Sequence, residues 1–135
     1  MPNLLEKVAT IKDNFSFLDG WEEKYQYIID LGKALPAMAE SDKQEIHRVH
    51  GCMSQVWMKL EDTADGVQII ADSDAIIVRG LIALICGVVQ GQPKSEIVAF
   101  NFLDFFNELG LDRQLSPNRR NGLVAFVALM QQKLQ

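Results

Sequence analysis

A cysteine that follows a glycine and has protonatable or cationic side chains just upstream is suited to sulfur chemistry, and this chain has one: Cys52, in the stretch RVHGCMSQVW. The thiolate, not the thiol, is the nucleophile, and His47, Arg48 and His50 supply positive charge or protons beside it. Gly51 lets the backbone turn sharply before a strand-like segment that begins at Ser54. With no second cysteine adjacent, a thiolate in such a turn is placed to accept or donate a sulfur atom. The plainer alternative is a small apolar residue in a buried turn.

The remaining chemistry-bearing residues narrow the choice. Cys86 lies in LIALICGVVQ, where apolar surroundings raise a thiol pKa and block access, so its expected role is packing. His47, His50 and Cys52 form a His-x-x-His-x-Cys spacing that matches no familiar zinc pattern, and no metal site is expected. An iron-sulfur cluster is not expected either, since such clusters are normally held by about four thiolates and the chain has 2 cysteines, of which one is an accessible candidate. No Gly-x-Ser-x-Gly elbow supports hydrolysis. Arg119 and Arg120 follow Ser116-Pro117 in the first turn of an expected helix, where the dipole disfavours each exposed cation by ~0.3 to 1 kcal/mol. An acidic partner surface, or a carboxylate such as Asp74, would offset that cost; an exposed pair that tolerates it is the alternative. Phe100, Phe102, Phe105 and Phe106 read as core.

A length of 135 residues with 48% hydrophobic content allows one ordinary core, so residues 1–135 are expected to form one domain. A net charge of -5 argues against nucleic-acid binding, and the expected partner is another protein or a small molecule. The N-terminus mixes charges with its apolar residues, unlike a signal peptide, which predicts a cytoplasmic protein with both cysteines as thiols. The most apolar window, residues 75–89, is interrupted by Arg79 and two glycines and is too short to span a bilayer, so no membrane association is expected.

Apolar spacing predicts a helix over residues 3–18 and a second from an Asp19 cap, with Glu22 three residues on, to Leu35 before Pro36. The period then changes. Residues 46–50 alternate as a strand, and residues 54–71 read as a hairpin around Asp65-Gly66. Asp72, Ser73 and Asp74 offer capping oxygens to an apolar helix over residues 74–89, closed by Gly91. Pro93, Asn101, Gly110 and Ser116-Pro117 punctuate shorter helices and a final one to about Leu134. The expected class is α+β: a small antiparallel sheet of about three strands packed against several helices.

Taken together, WEEKYQYIIDLGKALP, GCMSQVW, DSDAIIVRGLIAL and LSPNRRNGL, in this order and spacing, resemble the SufE family of sulfur acceptors, which includes the related CsdE proteins. The resemblance spans nearly the whole chain. It implies that Cys52 receives sulfur as a persulfide from a pyridoxal-phosphate-dependent cysteine desulfurase (SufS- or CsdA-like), stimulates that enzyme, and passes the sulfur to an iron-sulfur assembly scaffold. It implies no cofactor on this chain, places Asp74 and Arg119 near the cysteine loop or partner surface, and predicts a fold similar to the IscU scaffold. Gly51 is expected to permit the turn or movement that presents the sulfur. Two other classes compete: a thiol-dependent redox enzyme in which Cys52 forms a sulfenic acid, and an adaptor that does not need the sulfur.

Overall fold

A computed structural model of the protein describes residues 2–51 and 54–135; Cys52 therefore lies outside the described residues. Helix α1 (Leu4–Ser16) opens with a reciprocal cap, the Asn3 side chain accepting the Glu6 N–H while the Glu6 carboxylate accepts the Asn3 N–H. It buries Leu4, Val8 and Phe15 along one stripe. Helix α2 (Gly20–Ala34) follows after Asp19, whose side chain does not cap it. Instead Glu23, one residue beyond the expected Glu22, accepts the Asp19 N–H. The helix stops before Pro36, as the loss of an N–H donor there requires.

Strands β1 (Val56–Thr63) and β2 (Gly66–Ser73) form an antiparallel hairpin paired from Val56↔Ser73 to Thr63↔Gly66. Gly66 closes the turn with φ +99, and a Cβ at that position would lie 2.3 Å from the carbonyl oxygen of Gly91. Inward-facing Met58, Val67, Ile69 and Ala71 are buried, the period-two pattern of a sheet with one covered face.

Among the described residues the sheet has two strands, not about three. The segment expected as the extra strand is a 3-10 turn, Glu45–His47, followed by a single bridge from Arg48 to Trp57. Its alternation brings only Val49 into the core, while Ile46 stays 74% exposed. One buried side chain gives too little apolar burial to hold a full ladder.

Helix α3 (Ile76–Val89) packs between β2 and α2 and contributes Leu81, Ile82, Leu84, Ile85 and Val88 to the core. It begins two residues later than the capping pattern predicts, because the three polar residues before it bond elsewhere. Ser73 Oγ accepts the Ala75 N–H, Asp74 binds Gln55, and Asp72 binds Arg79. Where α2 crosses α3 the backbones touch: a Cβ on Gly80 would lie 2.2 Å from the Ile28 carbonyl oxygen, and one on Gly32 would lie 2.7 Å from the Gly80 nitrogen.

Helices α4 (Lys94–Ala99), α5 (Phe102–Glu108), α6 (Leu111–Gln114) and α7 (Pro117–Leu134) complete the chain. Asn101 caps α5 through the Asp104 N–H and Ser116 caps α7 through the Arg119 N–H, with Pro117 at the first helical position. The Gln131 amide on α7 donates to the carbonyls of Ile97, Val98 and Phe100 at 3.0, 3.3 and 3.0 Å, satisfying the end of α4. Among the described residues no helix is long and apolar enough to cross a membrane.

Two glycines of α3 should respond oppositely to alanine. Gly80→Ala forces a methyl group into α2 backbone and should cost about 3 kcal/mol in urea unfolding. Gly87 has nothing within 4 Å of its would-be Cβ. Gly87→Ala should therefore stabilise by about 0.5 to 1 kcal/mol, through lower backbone entropy in the unfolded chain.

Candidate functional site

The segment that carries Cys52 is closed at its base. Arg48 bridges to Trp57, and the Val49 N–H donates to the Val56 carbonyl at 2.8 Å. One residue inward, the Gln55 N–H donates to Asp74 Oδ1 at 3.0 Å while the Gln55 carbonyl accepts the Asp74 N–H at 3.2 Å. Asp74 thus continues the strand pairing by one more row and holds the C-terminal root of the loop. On the other side Gly51 takes φ +91, a left-handed conformation that side chains with a Cβ rarely adopt. A Cβ there would lie 3.3 Å from the Ala125 Cβ on α7, so glycine also allows the loop to approach that helix.

Ser54, on the far side of Cys52, borders a cavity of about 270 Å³ between β1, α3 and α7. Its apolar wall includes Val56, Leu81, Ile82, Leu123 and Phe126, and Arg119 also borders it. Apolar walls with one cation at hand suit a soft, polarisable anion better than a hydrated one.

Arg119 is exposed, and among the described residues its guanidinium makes no hydrogen bond or ion pair. Asp74 is engaged with Gln55, so the two residues do not form the ion pair considered from the sequence. Arg120 diverges and donates to the Asp112 carbonyl at 2.9 Å. Of the three basic residues upstream of Cys52, His50 faces Glu45 at 2.8 Å, with both side chains exposed, and Arg48 makes the bridge to Trp57.

Three residues of the site's framework were not assigned to it from the sequence: Gln55, Asp72, which was read as a helix cap, and Arg79, which was noted only for interrupting the apolar window. Arg79 interrupts an otherwise apolar helix, and a cation there demands a buried acceptor. That was the available signal for Asp72, which is 1% exposed.

Cys86 is buried on α3, and burial pushes its thiol up to about 12. At neutral pH it is therefore protonated and shielded from reagents. Among the described residues no group of three or more His, Cys, Asp or Glu side chains could hold a metal ion.

Comparison with known proteins gives a consistent result. Residues 9–134 match the family model for SufE, described as an Fe-S metabolism associated domain. An uncharacterized SufE-like protein of Rhizobium etli is 45% identical over 121 residues, covering 87% of this chain and 82% of the relative. One from Rhizobium meliloti is 42% identical over 121 residues, covering 87% and 86%. The solution structure of a hypothetical protein from Thermus thermophilus superimposes with a TM-score of 0.80 at 19% identity, covering 95% of this chain and 93% of that one, a similarity of fold.

The raised Cys86 thiol has a signature in alkali. Its native pKa lies above the ordinary value of 9.0, so the stability of the neutral thiol is fully present below about pH 9 and is lost as pH rises toward about 12. Cys86→Ala should therefore show a smaller fall in urea midpoint between about pH 8 and about pH 10.5 than the parent. Lys43, held above its ordinary range chiefly by its hydrogen bond to Glu40, acts in both proteins and cancels in the comparison. Equal slopes for parent and variant would contradict this account of Cys86.

Proposed function

Because the chain belongs to the SufE family, we propose that it is a sulfur acceptor and carrier in which Cys52 takes sulfane sulfur from a cysteine desulfurase, stimulates that enzyme, and delivers the sulfur to iron-sulfur cluster assembly. The observation that carries this reading is the setting of the residues flanking Cys52. Gly51 is left-handed against α7, and Ser54 borders an apolar cavity that Arg119 also lines.

The chemistry is thiol-persulfide exchange. The Cys52 thiolate attacks the outer sulfur of the partner's persulfide, a new sulfur-sulfur bond forms, the original one breaks, and the partner cysteine leaves as a thiolate. The transferred sulfur keeps its proton and no net oxidation occurs. Cys52 then carries the persulfide, and a second exchange of the same kind passes it to the scaffold. No cofactor on this chain takes part; pyridoxal phosphate belongs to the desulfurase, which generates the sulfur from cysteine. A persulfide is easily reduced or oxidised, so an apolar cavity next to the loop is a suitable shelter during transit. Asp74 serves this scheme by fixing the loop's root at Gln55, and Arg119 by presenting a cation at the cavity where a partner would dock. The proposed setting is the cytoplasm, where thiols stay reduced.

Intact-mass analysis after incubation with a cysteine desulfurase and cysteine tests the assignment. The parent should gain sulfur, Cys52→Ser should gain none while keeping its fold, and Cys86→Ser should accept sulfur in its folded fraction. Sulfur accumulating on Cys86, or on the Cys52→Ser protein, would sink the assignment.

Arg119→Ala separates partner docking from local helix energetics. Removing a cation from the first turn of α7 should leave the melting temperature equal or slightly raised. Desulfurase stimulation at subsaturating concentrations should nonetheless fall. Unchanged turnover at every concentration would remove Arg119 from the interface.

A further inference from the structure

Both roots of the Cys52 loop hang from one short piece of backbone, residues 72–74. Trp57 pairs with Asp72 and is bridged by Arg48; Val56, which accepts the Val49 N–H, pairs with Ser73; and Gln55 is bonded in both directions to Asp74. What fixes this piece is the Asp72 side chain. Its Oδ1 accepts from Arg79 Nη1 at 2.6 Å and from the Ser73 N–H at 2.8 Å, and its Oδ2 accepts the Met38 N–H at 3.0 Å and faces Lys43 Nζ at 3.7 Å. Arg79 completes the frame by donating Nη2 to the Leu35 carbonyl at 2.6 Å and Nε to the Gly32 carbonyl at 3.3 Å, at the C-terminal end of α2.

A buried ion pair adds little net stability against an apolar replacement of similar volume, because desolvation offsets the attraction. In this arrangement both carboxylate oxygens of Asp72 and all three guanidinium nitrogens of Arg79 are engaged. We propose that Asp72 and Arg79 are positioning residues for the Cys52 loop, holding the end of the hairpin so that Gln55 and Val56 root the loop in one register. A slip of one residue in this row would move the root by about 3.3 Å and exchange the faces of the strand. Displacements of about 1 Å at reacting atoms already slow group transfer on the order of a hundredfold. The proposal rests on the sulfur-acceptor reading for one of its two readouts and is independent of it for the other.

The experiment compares Arg79→Met, Arg79→Lys and a remote destabilising control, Leu134→Ala in the core at the end of α7, each corrected for its folded fraction. One readout is alkylation of Cys52 by iodoacetamide, which needs no partner; the other is sulfur acceptance from a desulfurase. Arg79→Met should slow transfer about tenfold, because transfer needs one geometry, while alkylation rises severalfold as the loop loosens. Arg79→Lys keeps a charge for Asp72 but loses the fork to the α2 carbonyls, so it should melt lower with both rates within about twofold of the parent. Leu134→Ala should lower the melting temperature and leave both rates unchanged. Parent-like rates in Arg79→Met, or the same opposed shifts in Leu134→Ala, would overturn the proposal. Should Arg79→Met fail to fold, Asp72→Asn combined with Arg79→Met removes both charges at once, and parent-like rates in that protein would overturn it equally. If the parent itself accepts no sulfur, the acceptor reading fails, and the alkylation arm still decides the positioning role.

Discussion

The backbone contact between α2 and α3 is the constraint from which the rest of the arrangement follows. With hydrogen in place of a side chain at Gly32 and Gly80, the two helices approach until carbonyl oxygen and α-carbon meet. Helices with ordinary side chains at the crossing keep their axes about 8 to 10 Å apart. At this close approach of the two backbones Arg79, the neighbour of Gly80, hydrogen-bonds the Gly32 and Leu35 carbonyls at the end of α2 directly. α3 also packs on β2, and its Leu81 and Ile85 lose nearly all contact with water. Burying one such side chain is worth about 1.5 to 3 kcal/mol, so the contact is supported by the core it makes possible.

Local signals in the sequence were reliable where the partner of a residue is close in the chain. Ser116-Pro117 and Asn101 were expected to punctuate helices, and the structure shows Ser116 and Asn101 capping α7 and α5, because each cap needs only an N–H three residues away. Asp72, Ser73 and Asp74 look identical in kind, yet two of them serve other elements. Asp74 finds Gln55, 19 residues upstream, and Asp72 finds a cation 7 residues on and the Met38 amide 34 residues back. No periodicity encodes such pairings; they are decided by which elements pack together. The alternation over residues 46–50 misled for the same reason, since a strand needs a neighbour along its length and β1 offers this segment a single bridge.

The candidate site divides in a similar way. A candidate thiol, Cys52, could be named from the sequence alone, because a glycine, a cysteine and nearby cations within a few residues make a local chemical pattern. The framework around it was not, because the loop is rooted on β2 and faces α7, elements that begin well after it in the chain. Arg119 stood out through an energetic oddity, a cation where the helix dipole disfavours it, and the structure places it on the wall of the cavity beside Ser54. The divergence of Arg119 and Arg120 separates two roles within one turn: Arg120 ties α7 to α6, and its neighbour is left to the solvent.

The burial of Cys86 has a consequence for any sulfur held at residue 52. A persulfide beside a second reachable thiolate in the same molecule can collapse to an internal disulfide, expelling its sulfur as sulfide. With 2 cysteines in the chain and Cys86 sealed in α3 with its proton retained, that route has no nucleophile. A sulfur carried there would then leave only through another molecule, and the hydrophobic packing of one helix would act as a safeguard against leakage.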